Sequence, residues 1–161
     1  MPLINSQSRD IYIPQEFQII QAGIEASINN DKIIVASGRY NEGIDFKGKA
    51  IYLKSLNGPL ETIIDGAGLD DSVVKCISGE GQDTILDGFT ITRGNGRLLG
   101  DREDSYIRKR GGGMINIFSS PKIINCIFRE NLVVQEGGVG GGMYNVDSNP
   151  VIINCTFTGS C

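Results

Sequence analysis

Two aspartates occupy nearly identical settings, Asp65 in TIIDG and Asp87 in TILDG, about one repeat of the chain apart. If equivalent strands stack about 4.8 Å apart, their carboxyls come within about 5 Å, the separation that suits the carboxylate pair of a retaining glycosidase. Such a pair needs one member kept protonated, by burial or by the charge of the other, and Arg93 could hold an anionic substrate beside it. The plainer reading is turn chemistry, with Asp bonding its own backbone and Gly taking a positive φ at a strand end. A second candidate is the stretch 97–110, where Arg97, Arg102, Arg108, Lys109 and Arg110 stand among Asp101, Glu103, Asp104 and Tyr106. Arginine grips carboxylates in a bidentate way, so this segment could bind acidic sugars, or it is a solvated loop of mixed charge.

Other chemistries are harder to build. The chain has no histidine, which removes the usual base near neutral pH and every Ser/His or Cys/His nucleophile. Cys76, Cys126, Cys155 and Cys161 form no CxxC pair, so zinc, iron–sulfur and thioredoxin-like sites are not expected. Asp65, Asp70 and Asp71 are oxygen-rich enough for calcium, but no EF-hand or Gly/Asp nonapeptide surrounds them; neither metal nor cofactor is expected. Thr-x-Thr occurs cleanly once, at Thr90 and Thr92, too little for a flat ice-binding face. A net charge of −4 gives no overall attraction for nucleic acid or an anionic membrane. The start MPLINSQSRDIYIPQ lacks a signal peptide's basic and apolar regions, and no stretch is long enough to span a bilayer.

The elements that must carry these residues are set by a repeat. GGGMINIFSSPKIINCIF from Gly111 returns as GGGMYNVDSNPVIINCTF from Gly140, an offset of about 29 residues, which is a solenoid period. Repeats of one orientation at a fixed offset predict parallel strands stacked on their equivalents. Within a copy, alternation predicts that Ile124, Cys126 and Phe128 face one way and Asn125, Ile127 and Arg129 the other, with Ile153, Cys155 and Phe157 directly above the first set. Asn116 over Asn145 and Asn125 over Asn154 predict amide ladders, structural or, where exposed, glycan-binding. Cys126 and Cys155 are expected to be core neighbours and free thiols, because same-facing side chains ask a disulfide for an awkward torsion; Cys161 is placed for an intermolecular bond. Upstream, Phe17, Ile20, Ile24 and Ile28 have helical spacing, with Pro14 at the start and Asn29 and Asn30 at the end. The division predicted is a single domain: a capping helix over 15–30, first rungs over 32–96, a charged loop over 97–110 between the third and fourth rungs, and the twin repeats over 111–161.

The opening, from Ile13 to Ser55, resembles the start of right-handed parallel β-helix proteins of the pectin-lyase-like superfamily. It carries a capping helix and then a Gly-x-Tyr-x-Glu turn, here Gly38, Tyr40 and Glu42. The second half, with GGGM, Phe128-Arg-Glu-Asn131 and SxPxIINCxF, is similar to repeats of polymorphic outer-membrane and related surface proteins. The resemblance implies an all-β, right-handed single-stranded parallel β-helix of about five rungs in a secreted or surface protein. No catalytic motif of the superfamily's pectinesterases, lyases, polygalacturonases or epimerases is matched. The expected function is therefore a structural or interaction solenoid that self-associates through its last rung (Val151, Ile153, Cys155, Phe157, Cys161) as filament or dimer. The alternative is a carbohydrate-active or glycan-binding β-helix, for which Tyr106 and Tyr144 are the candidate aromatics.

Overall fold

Short runs of isoleucine and valine broken by glycine or asparagine favour brief extended segments joined by tight corners, and the chain uses them as strands of two to four residues. The computed structural model describes residues 7–100 and 107–161. Strand β1 (Asp10–Ile13) precedes helix α1 (Ile20–Ala26). The strands then come in threes: β2 (Lys32–Val35), β3 (Gly38–Tyr40) and β4 (Ile44–Asp45), followed by β5 (Tyr52–Ser55), β6 (Thr62–Asp65) and β7 (Val74–Cys76). Next are β8 (Ile85–Asp87) and β9 (Thr90–Thr92), an inserted ribbon of β10 (Arg97–Gly100) and β11 (Ile107–Arg110), and β12 (Met114–Ile117). The second half adds β13 (Lys122–Ile124), β14 (Ile127–Arg129), β15 (Met143–Val146), β16 (Val151–Ile153) and β17 (Thr156–Thr158).

Each pass visits three sheets in turn. The first sheet runs β1-β2-β5-β8-β13-β16, the second β3-β6-β9-β14-β17 and the third β4-β7-β12-β15. Every strand pairing within them is parallel. The register stacks like on like: Ile11, Ile33, Leu53, Leu86, Ile123 and Ile152 form one inward column, and Ile64, Ile91, Phe128 and Phe157 form another. The Phe128 and Phe157 rings stack at 4.7 Å between centroids and 6° between planes.

The repeated residues have separate tasks. Asn125 and Asn154 sit in the left-handed region, at φ 52° and 51°, and turn the chain from the first sheet to the second; asparagine tolerates that conformation because its short side chain bonds locally. In the GGGM copies, Gly111 and Gly140 take φ 65° and 73°. The third glycine is needed for proximity instead, since a Cβ on Gly113 would lie 2.5 Å from the Gly142 carbonyl oxygen.

Four expectations are corrected. The helix spans Ile20–Ala26 rather than 15–30: Pro14 lies in a turn, and Ile28 is exposed. The helix's N-terminal N–H groups are capped from afar by Glu42, and its last carbonyls are met by Lys49 and by Ser27, whose hydroxyl donates to Ile24 O at 2.7 Å. The left-handed Asn125 breaks the predicted alternation, so Ile123, not Ile124, is wholly buried beside Cys126 and Phe128. Both described ends of the 97–110 segment form an antiparallel ribbon and not an irregular loop. That ribbon lies inside a pass, between the β9 and β12 strands, and not between two passes.

Candidate functional site

Asp65 ends β6 in the second sheet, in register with Thr92, whereas Asp87 ends β8 in the first sheet, in register with Lys54 and Ile124. The two Asp-Gly steps therefore serve different corners, as the turn reading has it, and the alternative of a carboxylate pair does not form. Identical turn chemistry at two corners made them look like repeats of one position.

Each aspartate has its own partners. The Asp65 side chain is fully buried and is clamped by the Arg93 fork, by Arg39 and by the Ala67 N–H at 3.0 Å. Burial pushes its carboxyl up, but hydrogen bonds from Arg93, Ala67 and Arg39, with the Arg93 charge, outweigh that and hold it at about 2. A carboxyl so held is ionised at neutral pH and has no proton to lend, so it is unsuited to general-acid work. Arg93 is spent on this clamp, which fastens the corner between the second and third sheets.

Asp87 belongs to a polar column on the outside of the first sheet. It accepts from the Tyr52 hydroxyl at 2.6 Å and from Asn125 Nδ2 at 3.0 Å, and Asn125 in turn accepts from Asn154 Nδ2 at 2.6 Å. The bond to Asp87, with burial and the Asp87 charge, pushes the Tyr52 phenol up to about 12, so the hydroxyl remains a donor. Lys32 and Lys54 flank the Tyr52 ring at 6.0 and 5.8 Å. The second predicted ladder is also present, with Asn116 Nδ2 donating to Asn145 at 2.7 Å.

The basic residues of the ribbon are directed to different neighbours. Arg97 meets Asp71 at 3.3 Å, and Arg110 is buried against Tyr144, its guanidinium 5.1 Å from the ring centre and bonded to the hydroxyl. Arg108 lies beside Gly137, and Arg102 and Tyr106 lie outside the described residues. Asp70 and Asp71 pair with Lys109, Lys75 and Arg97. Asp65, the third aspartate considered for calcium, is turned to Arg39 and Arg93. These pairs fasten the ribbon to the loop before β7.

The expected assembly edge is where the packing pattern stops. Ile152 and Phe157 are 43% and 45% exposed, whereas their register mates Ile123 and Phe128 are fully buried. Ile153 is exposed, Val151 and Cys155 are half-buried and Cys161 is exposed. A depression of about 270 Å³ is lined by Gly142, Met143, Phe157, Thr158, Gly159 and Ser160. Sequence reasoning missed Ile152 and Met143; the β13–β16 register identifies the first, and GGGM repetition signals the second.

All four cysteines are free thiols. The Cys126 thiol pulls the Cys155 thiol down to about 7, while burial pushes Cys126 itself up; Cys126 Sγ also donates to Ile124 O at 3.2 Å and Cys155 Sγ to Ile153 O at 3.3 Å. Sequence reasoning also missed the buried carboxylate of Glu80, which accepts from Gly48 N, Ser78 N and Ser119 Oγ across three passes, each at 2.8 Å. Only contacts far apart in sequence reveal it. Among the described residues no helix is long and apolar enough to cross a membrane. No family model, curated protein or solved structure matches this chain.

Proposed function

We propose that the protein is a non-enzymatic interaction module, a right-handed parallel β-helix of about five rungs that associates through its last strands. Parallel strands joined by crossovers are nearly always right-handed, which supports the hand. The observation that carries the function is the exposure of Ile152 and Phe157 in columns whose earlier members are wholly buried. An edge with apolar side chains and unpaired strand backbone is a template for another chain. A secreted or cell-surface setting goes with this reading, on the strength of the resemblance. Sedimentation velocity over a concentration series tests it: the native chain should gain mass and Phe157→Lys should stay monomeric. A native chain that remains a monomer at the highest concentration overturns the proposal.

A second reading, glycan binding without chemistry, is favoured by the column of Tyr52, Asp87, Asn125 and Asn154, with Tyr12 exposed on the same sheet. Saccharides are held by such alternation of flat rings and polar groups. A glycan-array signal lost in Tyr52→Ala would support it, and an array without signal would remove it.

A further inference from the structure

The outer face of the second sheet gathers arginines from successive passes of the chain. Asp65, Thr92 and Arg129 stand side by side in its register, facing outward because their neighbours Ile64, Ile91 and Phe128 fill the core. Arg39 reaches this column from β3 and Arg93 from the corner after β9, and both bond the same Asp65 oxygen, Oδ2. The clamp uses Nη1 of Arg39 with Nε and Nη2 of Arg93. Nε and Nη2 of Arg39 and Nη1 of Arg93 have no partner among the described residues, and both side chains are nearly half exposed.

Charge and hydrogen bonding are both incomplete here. Arg39, Arg93 and Arg129 face two carboxylates, Asp65 and Glu130, so the cluster keeps a positive charge on a chain of net charge −4. Next to Asp65, the Thr92 hydroxyl is buried and has no hydrogen-bond partner. Thr90, on the same face, donates to Pro59 O at 2.7 Å, so the sheet satisfies such a hydroxyl where a carbonyl is in reach. A buried polar group left unsatisfied in a folded chain points to a water or an ion among few explanations. Water would complete the hydroxyl but not the charge, whereas an oxyanion completes both.

We propose that this cluster is an oxyanion site, in which a phosphate or sulfate group accepts from the Thr92 hydroxyl and from the unused N–H groups of Arg39 and Arg93. Asp65 is a positioning residue: ionised at neutral pH, it holds the two guanidinium groups together without touching the anion. Arg129 adjoins Thr92 in register and is paired only with exposed Glu130, a contact too weak to stop its rotation from admitting the ion. A tetrahedral group suits donors that come from three side chains, whereas a carboxylate is satisfied by one arginine fork. A free ion and the ester of a sugar offer the same chemistry, and the test separates them.

Isothermal titration with inorganic phosphate should show saturable binding at a single site, weakened about tenfold or more in Arg39→Gln and in Thr92→Val. Both variants should keep the fold, which circular dichroism checks. Asp65 retains Arg93 and the Ala67 N–H when Arg39 is shortened, and valine replaces a hydroxyl that bonds nothing in the free chain. Lys122→Gln, on the first sheet, should leave the affinity unchanged. A sugar phosphate that binds more tightly than inorganic phosphate identifies the ester as the ligand, and one that binds no more tightly identifies the free ion. The site is overturned if phosphate gives neither saturable heat nor a rise in thermal midpoint, or if Arg39→Gln and Thr92→Val bind as well as the native chain. An equal loss in Lys122→Gln also overturns it, because general charge attraction would then explain the binding.

Discussion

Isoleucine caps both ends of this molecule with opposite results. At the α1 end, Ile20 and Ile24 are wholly buried over Ile11 and Ile13. At the other, Ile152 continues the same inward column and is 43% exposed. Residue type does not distinguish them, and Ile152 shares strand conformation and register with Ile123, which is fully buried. What differs is the next layer: a helix with Glu42, Lys49 and Gln21 to fix it on one side, and no such layer among the described residues on the other. Burial in a stacked coil is supplied by neighbours, so an end is closed only by an element that departs from the repeat.

The largest effect that tests this contrast comes from paired truncations. Phe128→Ala should cost about 3–5 kcal/mol, from lost burial and the cavity left behind. Phe157→Ala, whose ring is 45% exposed, should cost well under half as much in urea unfolding of the monomer. Equal costs would show that the last strands are as firmly packed as the interior.

The glycines sharpen the contrast one step further. Gly113→Ala sets a Cβ 2.5 Å from the Gly142 carbonyl and 2.9 Å from Phe128 Cδ1, and should destabilise by about 1–3 kcal/mol. Gly142→Ala meets the Phe157 ring edge at 2.9 Å, and that half-exposed ring can swing away, so a smaller loss in thermal midpoint is expected.

Acid should act on the closed part of the coil. Asp65 is held at about 2 against an ordinary 3.8, so the folded state keeps its proton off longer than the unfolded chain. Its contribution to stability is complete above about pH 4 and is lost as the pH falls towards 2. Asp65→Asn should be less stable than the native chain at neutral pH, with the difference shrinking below pH 4. A constant difference down to pH 2 would contradict the clamp.

The smallest effect lies at the open end. Cys155, brought down to about 7 by the Cys126 thiol, should be alkylated with a midpoint near pH 7 in peptide mapping, while buried Cys126 is spared. Cys126→Ala should move that midpoint upward. An unchanged midpoint would mean that the thiol pair does not set Cys155 reactivity.

Much of the architecture was legible because a sequence repeat writes the stacking of parallel strands locally. The GGGM…IINC repetition predicts which residues stack, and the pairs Asn116 with Asn145 and Phe128 with Phe157 follow from an offset of about 29 residues. The site was much less legible. Asp65 and Asp87 read alike because a tight corner demands the same residues wherever it occurs, and local chemistry does not say which corner it serves.

The sequence by itself determined the parallel stacking, the amide ladders of Asn116 with Asn145 and Asn125 with Asn154, and the identity of most core columns, since each depends on residue type and spacing alone. Only the tertiary structure decided that Ile123 faces inward, that Asp65 is neutralised by Arg39 and Arg93, and that Gln21, Glu42 and Lys49 seal one end. The first follows from the local backbone turn at Asn125; the others depend on groups more than 20 residues apart meeting at about 3 Å, and hydrogen bonds over such distances leave no periodic trace in the chain.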